Sequence, residues 1–439
     1  MAPNNGKHGD GSDMRTLLTG ALAGAILCWP TAVAAQQPAF RIDPGPDAQE
    51  ALQEALILVE PGQTVELGPG VFHMTEGLSL DVADVTVRGA GMDATVLSFK
   101  GQEGGSEGLL VTADRVLLTD FAVEDTKGDG IKVKGVDTIT MAALRVEWTG
   151  GPSPDNGAYG LYPVESQNVL VDGCVVRGAS DAGIYVGQSE TIVVRDSRAE
   201  FNVAGIEIEN SYHADVHDNV ATRNTGGILV FDLPNLPQKG GHSVRVFDNQ
   251  IVRNDTDNFA PPGNIVATVA RGTGLLVMAN RNVEVFDNFF SDNDTVHVLI
   301  ATYPNDFDDD GYAPHPRGVH VHANLYGPGG TAPDKEMGKL IAGRVGTPVP
   351  DIVWDGVAPL TDLVFGIAAE DRIYIREAEG TSFANLRMVW ETLLPWTVSP
   401  DRDIAAHAGS LPPVPAVRLP QDAADDAEPA TTTAAADGG

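Results

Sequence analysis

Tyr162, Tyr185, Glu207 and Glu209, preceded by Lys132 and Lys134, supply polar chemistry in an otherwise apolar pattern. Each stands at the third or fifth residue of a short motif opened by glycine: "GIKVK" at Gly130, "GLYPV" at Gly160, "GIYVG" at Gly183, "GIEIE" at Gly205. Tyrosine faces receive sugar C–H groups, while Glu and Lys move protons or grip acidic sugars. Tyr185 and Glu207 are therefore expected to be catalytic, and Lys132, Lys134, Tyr162 and Glu209 to bind substrate. Glu207 and Glu209 alternate on one strand, which would set their carboxyls about 7 Å apart, near the spacing of an inverting glycosidase pair. Any two alternate strand carboxylates share that spacing, so a solvated Lys–Glu ladder is the competing reading.

Other residues suggest metals. "DFDDDG", Asp306–Gly311, places Asp306, Asp308 and Asp310 on a tight turn whose oxygens suit calcium. Arg317 occupies the twelfth position, so the loop is not an EF-hand. His320 and His322 alternate on one strand near His315 and could take a transition metal with Asp308, or simply face outward. His213, Asp215 and His217 offer the same pattern.

The elements that would position these residues follow from repetition. The glycine motif continues as "GILVF" at Gly227 and "GLLVM" at Gly274, with "HVLIA" at His297 as a degenerate copy. A second series runs between them, including "NVLVDGCV" at Asn168, "TIVVRDSR" at Thr191 and "NVEVFDNF" at Asn282. Two short strands in roughly 22 residues suit one turn of a solenoid, each turn pairing with the next at about 4.8 Å. The expected fold is all-β, a parallel β-helix. Glycine before each first strand is expected to permit a tight corner. Leu144, Cys174, Ser197, Asn219, Asn249, Asn288 and Asn324 fall in one column, where stacked Asn side chains can bond coil to coil. Cys174 reads there as a small interior residue.

Open solenoid ends need covers. Asp47 and Glu50 have capping-box spacing, and Leu52, Ala55, Leu56 and Val59 form one apolar helical stripe, predicting an N-terminal capping helix. Expected boundaries are a leader and signal peptide over 1–35, the cap over 36–62 and the β-helix over 63–350. Final coils and a cap follow over 351–410, with strand-like "IVW", "LVF" and "IYI" and a helix in "SFANLRMVWETLL". An acidic, Pro/Ala-rich tail over 411–439 is expected to be disordered.

Residues 14–35 have an Arg, an apolar run and a small-residue end, the pattern of a secretory signal cleaved near Ala35. The expected location is periplasmic or extracellular. The leader carries two basic and two acidic residues, so its removal leaves the net charge at −33. That charge disfavours nucleic acid and anionic lipid. No later run is apolar enough to span a bilayer. Cys174 alone would remain, which precludes an intramolecular disulfide.

Over roughly residues 40–350 these repeats resemble right-handed parallel β-helix proteins of the pectin-lyase-like superfamily. The superfamily includes lyases, hydrolases, epimerases and proteins without known activity. "YGLYPVE", Tyr159–Glu165, is similar to the catalytic segment of alginate C5-epimerases, Tyr-Gly-Phe-Asp-Pro-His-Asp. Tyr159, Gly160 and Pro163 match. Tyr162, Val164 and Glu165 replace the first Asp, the His and the second Asp, so the catalytic motif is not retained.

Insertions at Thr149–Gly157, Asp232–Gly241, Asp255–Gly272 and Thr302–Arg317 all border the glycine-strand sheet, as loops around a binding face would. Leu229, Phe231, Leu276 and Met278 form an apolar patch that the 232–241 loop, the 255–272 loop or the C-terminal segment should cover. The expected function is binding of an acidic polysaccharide in this groove, with lyase, epimerase or hydrolase action if it is an enzyme. The alternative is a non-catalytic accessory or scaffold protein linked to a metal.

Overall fold

The computed structural model describes residues 39–388 and 399–420. The signal-like run at 14–35, the part of the C-terminal helix candidate at 389–398, and residues 421–439 lie outside them. The described chain coils as a parallel β-helix whose turns build sheets of 12, 11 and 10 strands. The 11-stranded sheet collects the glycine-opened strands, among them Tyr159–Val164, Ala182–Gly187, Ala204–Glu209 and Gly226–Phe231. The 12-stranded sheet collects the second series, such as Gln167–Asp172 and Glu190–Arg195.

The third sheet corrects the two-strand reading of each coil. Its strands have two to four residues, and most, such as Val175–Arg177 and Arg198–Glu200, have three with a fully buried central residue, Val176 or Ala199. Such segments are too short to show alternation. Inward residues of all three sheets form one continuous apolar core along the solenoid.

The glycine column has a different cause from the one expected. Gly183 and Gly205 do not have positive φ. A Cβ at Gly183 would lie 2.7 Å from Asn202 Nδ2, and one at Gly205 would lie 2.5 Å from the Gly227 carbonyl. Close packing between coils, rather than a special turn, requires glycine there.

The Asn column forms as expected. The Ser197 amide donates to Asn219 Oδ1, Asn219 to Asn249, Asn249 to Asn288 and Asn288 to Asn324, at 3.0–3.1 Å. A second ladder, Asn202–Asn224–Asn254–Asn293, repeats this design at another corner. Cys174 is fully buried, and burial pushes its thiol up to about 12, which suits an interior residue.

The N-terminal cap is the helix Ala48–Leu58, with Leu52, Ala55 and Leu56 buried. Asp47 makes no side-chain cap, so the capping box does not form and packing holds the helix. At the other end, Ile352–Trp354 and Ile373–Arg376 are strands. "LVF" instead lies in the helix Leu360–Phe365, and Phe383–Asn385, expected within a helix, is a strand paired with Ile352–Trp354. An unforeseen helix, Lys335–Val345, buries Ile341 and Val345 against the outer face of the 11-stranded sheet.

The expected disorder of the tail is corrected over its first ten residues. The amides of Val414 and Val417 donate to Glu284 and Asp215, at 3.0 and 3.1 Å. Leu419 packs on Leu170 and Val193. The segment therefore lies along one outward column of the 12-stranded sheet, where the register runs Val193, Asp215, Arg245, Glu284, His320.

Candidate functional site

Strand register fixes the outward columns of the 11-stranded sheet. Lys132 pairs with Tyr162, Tyr185 with Glu207 and Glu207 with Leu229. The neighbouring column runs Lys134, Val164, Gly187, Glu209, Phe231. Gly187 has a local purpose: a Cβ there would meet the Tyr185 hydroxyl at 2.1 Å, so its absence lets that ring lie flat across the column. Tyr185 then hydrogen-bonds Glu209.

Three aromatic rings converge here. Tyr159 stacks obliquely on Tyr162 and Tyr185, with centroids 4.4 and 4.6 Å away, and Tyr162 meets Tyr185 edge-on at 5.0 Å. Lys132 Nζ stands 4.8 Å from the Tyr162 centroid and 3.5 Å from carboxylate oxygens of Asp129 and Glu107. Asp181, buried below Tyr159, accepts from Asn264 at 3.3 Å.

Tyr159, Asp129 and Asp181 were missed as site residues. Tyr159 was visible only within the "YGLYPVE" motif, and the two acids precede Gly130 and Gly183, outside the columns. These acids fall at different offsets, one and two residues before the glycine, and the other glycine strands have no acid there, so the repeat itself carried no signal for them.

The acids are held protonated to unusually high pH. Burial raises Asp181 and Glu209 to about 7 each, with repulsion between neighbouring carboxylates adding to it. Burial also raises Asp129, and raises Glu207 well above the carboxylate range, where Asp181 and Glu209 add to the shift. The phenols rise too: Tyr162 to about 12, Tyr159 and Tyr185 further, through burial and adjacent acids. At neutral pH the tyrosines are hydrogen-bond donors, not bases.

Not every expected residue reaches this face. Tyr162 and Lys132 are half-exposed, while Tyr185, Glu207 and Glu209 are buried. Glu207 is sealed beneath the short helical turn Ile265–Thr268, beside a cavity of about 50 Å³ lined by Leu229, Phe231, Leu276 and Met278. Its Oε1 has no hydrogen-bond partner. The apolar patch is thus covered by the 255–272 loop as expected, and that cover also closes over Glu207. Lys134 stands apart: it is exposed, pairs with Glu165 at 3.7 Å, and lies three coils, about 14 Å, from Glu209.

The calcium loop is not assembled. Asp306, Asp308 and Asp310 are exposed, because the intervening Asp309 turns inward to bind Lys239 and the Asn235 amide. Among the described residues, one set of three ligand-type side chains converges, Glu284, His320 and His322. His315 instead faces Thr302 at 3.1 Å, and Asp215 pairs with Arg245.

Residues 85–261 match the family model described as the right handed beta helix region. The chain has the right-handed parallel β-helix fold. The A-module of the Azotobacter vinelandii mannuronan C-5 epimerase AlgE4 superposes with a TM-score of 0.51 at 15% identity, covering 76% of this chain and 91% of that one. An alginate lyase from a Paenibacillus species gives 0.46 at 19% identity, covering 66% and 96%. No curated protein matched the sequence. On this β-helix, Tyr159 and Tyr162 remain partly exposed at the edge of the 255–272 loop, whose Asn264 reaches Asp181 beside them, while Tyr185 is buried.

Proposed function

We propose that this β-helix protein binds carbohydrate at Tyr159, Tyr162 and Lys132, on the outer face of the glycine-strand sheet. The observation that carries the reading is the cluster of three tyrosine rings within 5.0 Å of one another, backed by acids that burial raises to about 7. Rings of this kind offer apolar faces to sugar C–H groups, and phenols and protonated carboxyls donate to ring and hydroxyl oxygens. The shared fold with a mannuronan epimerase module is consistent with such a ligand.

Lys132 and Lys134 are both engaged with carboxylates of their own chain. A uronate chain would have to displace those pairs; a neutral chain would not. Recognition by stacking and hydroxyl hydrogen bonds is therefore favoured over recognition by charge. Asp181 and Glu209, with values of about 7, are the groups suited to acid–base chemistry, rather than the sealed Glu207. The proposed place of binding is outside the cytoplasm, on the export-signal pattern of residues 14–35.

Affinity electrophoresis through gels containing neutral and uronate polysaccharides tests the proposal. The native protein should be retarded by at least one polysaccharide, and Tyr162→Ala should lose most of that retardation without changing its circular dichroism. Equal retardation of the variant in every gel, or none of the native protein, would refute it. Released reducing or unsaturated ends, lost in Asp181→Asn, would extend binding to catalysis.

A further inference from the structure

On the 12-stranded sheet, away from the tyrosines' 11-stranded sheet, Glu284 and His320 face outward in register on adjacent strands, Arg281–Phe286 and Arg317–His322. His322 lies two residues along from His320 on the same face, with ring centroids 4.2 Å apart. Ligand atoms of the three side chains lie within 4.8 Å of one another, and Glu284 Oε1 is 3.1 Å from His322 Nε2. That last distance is close to the roughly 3.3 Å between neighbouring ligands of a tetrahedral zinc with bonds near 2 Å.

A Glu–His ion pair alone would explain Glu284 and His322. It does not explain His320. This side chain is only 4% exposed, yet neither ring nitrogen has a hydrogen-bond partner. Imidazole always carries at least one N–H and, when neutral, one lone pair, so burial without partners is costly. A cation beside Glu284 would satisfy the lone pair. A cavity of about 260 Å³ adjoins both residues and is roofed by Leu411–Pro415. It has room for water or another small ligand at an open coordination position.

We propose that Glu284, His320 and His322 form a site for a divalent transition-metal ion of the zinc class, roofed by the segment Leu411–Pro415. Two imidazoles and one carboxylate select such ions over calcium or magnesium, which take all-oxygen sets. The roof positions a ligand as well as enclosing the site. The Val414 amide donates to Glu284 Oε2 at 3.0 Å, leaving Oε1 directed at the histidines. Pro412, Pro413 and Pro415 lack amide hydrogens, so Val414 is the donor available in the stretch 412–415. This site is independent of the carbohydrate face.

The test is calorimetric titration of the untagged, metal-free full chain with zinc chloride, with circular dichroism on each variant. The native protein and Asp308→Ala should each bind one zinc per chain. His320→Ala and the near-isosteric Glu284→Gln should bind at least about tenfold more weakly, and Val414→Pro, which keeps all three ligands, should also weaken binding about tenfold. Absence of zinc binding by the native protein would overturn the proposal. So would unchanged affinity in Glu284→Gln, or a loss that follows Asp308→Ala instead. Unchanged affinity in Val414→Pro would overturn the role given to the roof.

Discussion

Replacing Asn249 by alanine is expected to destabilise the protein by on the order of 3–6 kcal/mol, among the largest effects of any single substitution. Asn249 is 1% exposed and serves two coils at once. Its Oδ1 accepts from the amide and the Nδ2 of Asn219, at 3.0 and 3.1 Å. Its Nδ2 donates to the Val216 carbonyl at 2.8 Å and to Asn288 Oδ1 at 2.9 Å. Alanine would strand several of these groups where water cannot replace the lost partner, at roughly 1–3 kcal/mol each. In a solenoid each coil is held mainly by its neighbours, so the loss should appear as early melting of the central coils. Urea and thermal unfolding, with the exposed Leu325→Ala as a neutral control, would measure it. A midpoint indistinguishable from that of the native protein would mean the ladder does not hold the coils together.

Stability should also fall as pH rises from about 5 to 8. Asp181 and Glu209 titrate near 7 in the folded protein instead of at their ordinary 3.8 and 4.5. Between those values the folded protein keeps protons that the unfolded chain releases. Their contribution is therefore fully present below about pH 4 and is lost as pH passes through 7. Glu207 is shifted in the same direction and sits deeper, with one oxygen unpartnered. Glu207→Gln should consequently raise the melting temperature at pH 8, because the native protein must then keep a proton on Glu207 that the unfolded chain releases. The gain should vanish near pH 4, where the glutamate is protonated in both states. Equal melting temperatures of the two proteins at pH 8 would show that Glu207 is not held in its buried, protonated form. On the acid side Glu200 acts oppositely. Burial alone would raise it, but Arg177 and Arg198 outweigh that and hold it low, so its contribution is lost as pH falls below 4.5.

The columns were legible because a β-helix converts sequence period directly into neighbours. Once Gly183 and Gly205 mark adjacent coils, Tyr185 must stand beside Glu207, and the Asn ladder follows the same arithmetic. A loop over the apolar residues of those columns was legible, but its reach over Glu207 was not. The 255–272 loop and the helix Lys335–Val345 lie far away in sequence, and nothing local in Glu207 reveals that a distant turn will seal it. The short strands of the third sheet lacked enough alternation to register. Gly338 and Gly343 diluted a helical stripe that Met337, Ile341 and Val345 otherwise carry. Tyr159 and Asp181 escaped because they sit ahead of the inward–outward alternation.

The metal-ligand set shows the same divide between near and distant residues. His320 and His322 drew notice together, but partners were sought nearby in His315 and Asp308. The carboxylate that meets them, Glu284, is one coil away and 36 residues earlier than its cross-strand partner His320. Register, not proximity along the chain, selects partners in a solenoid.

The most direct test of the carbohydrate site uses the chain's eight tyrosines as reporters. Ring-labelled tyrosine resonances would be followed by NMR while an oligosaccharide cut from a retarding polysaccharide is added. Binding at the proposed face should shift Tyr159, Tyr162 and Tyr185 together and leave Tyr326 and Tyr374 unmoved. Shifts confined to other tyrosines, or saturating binding that moves none of the three, would contradict the assignment of the glycine-strand face as the binding site.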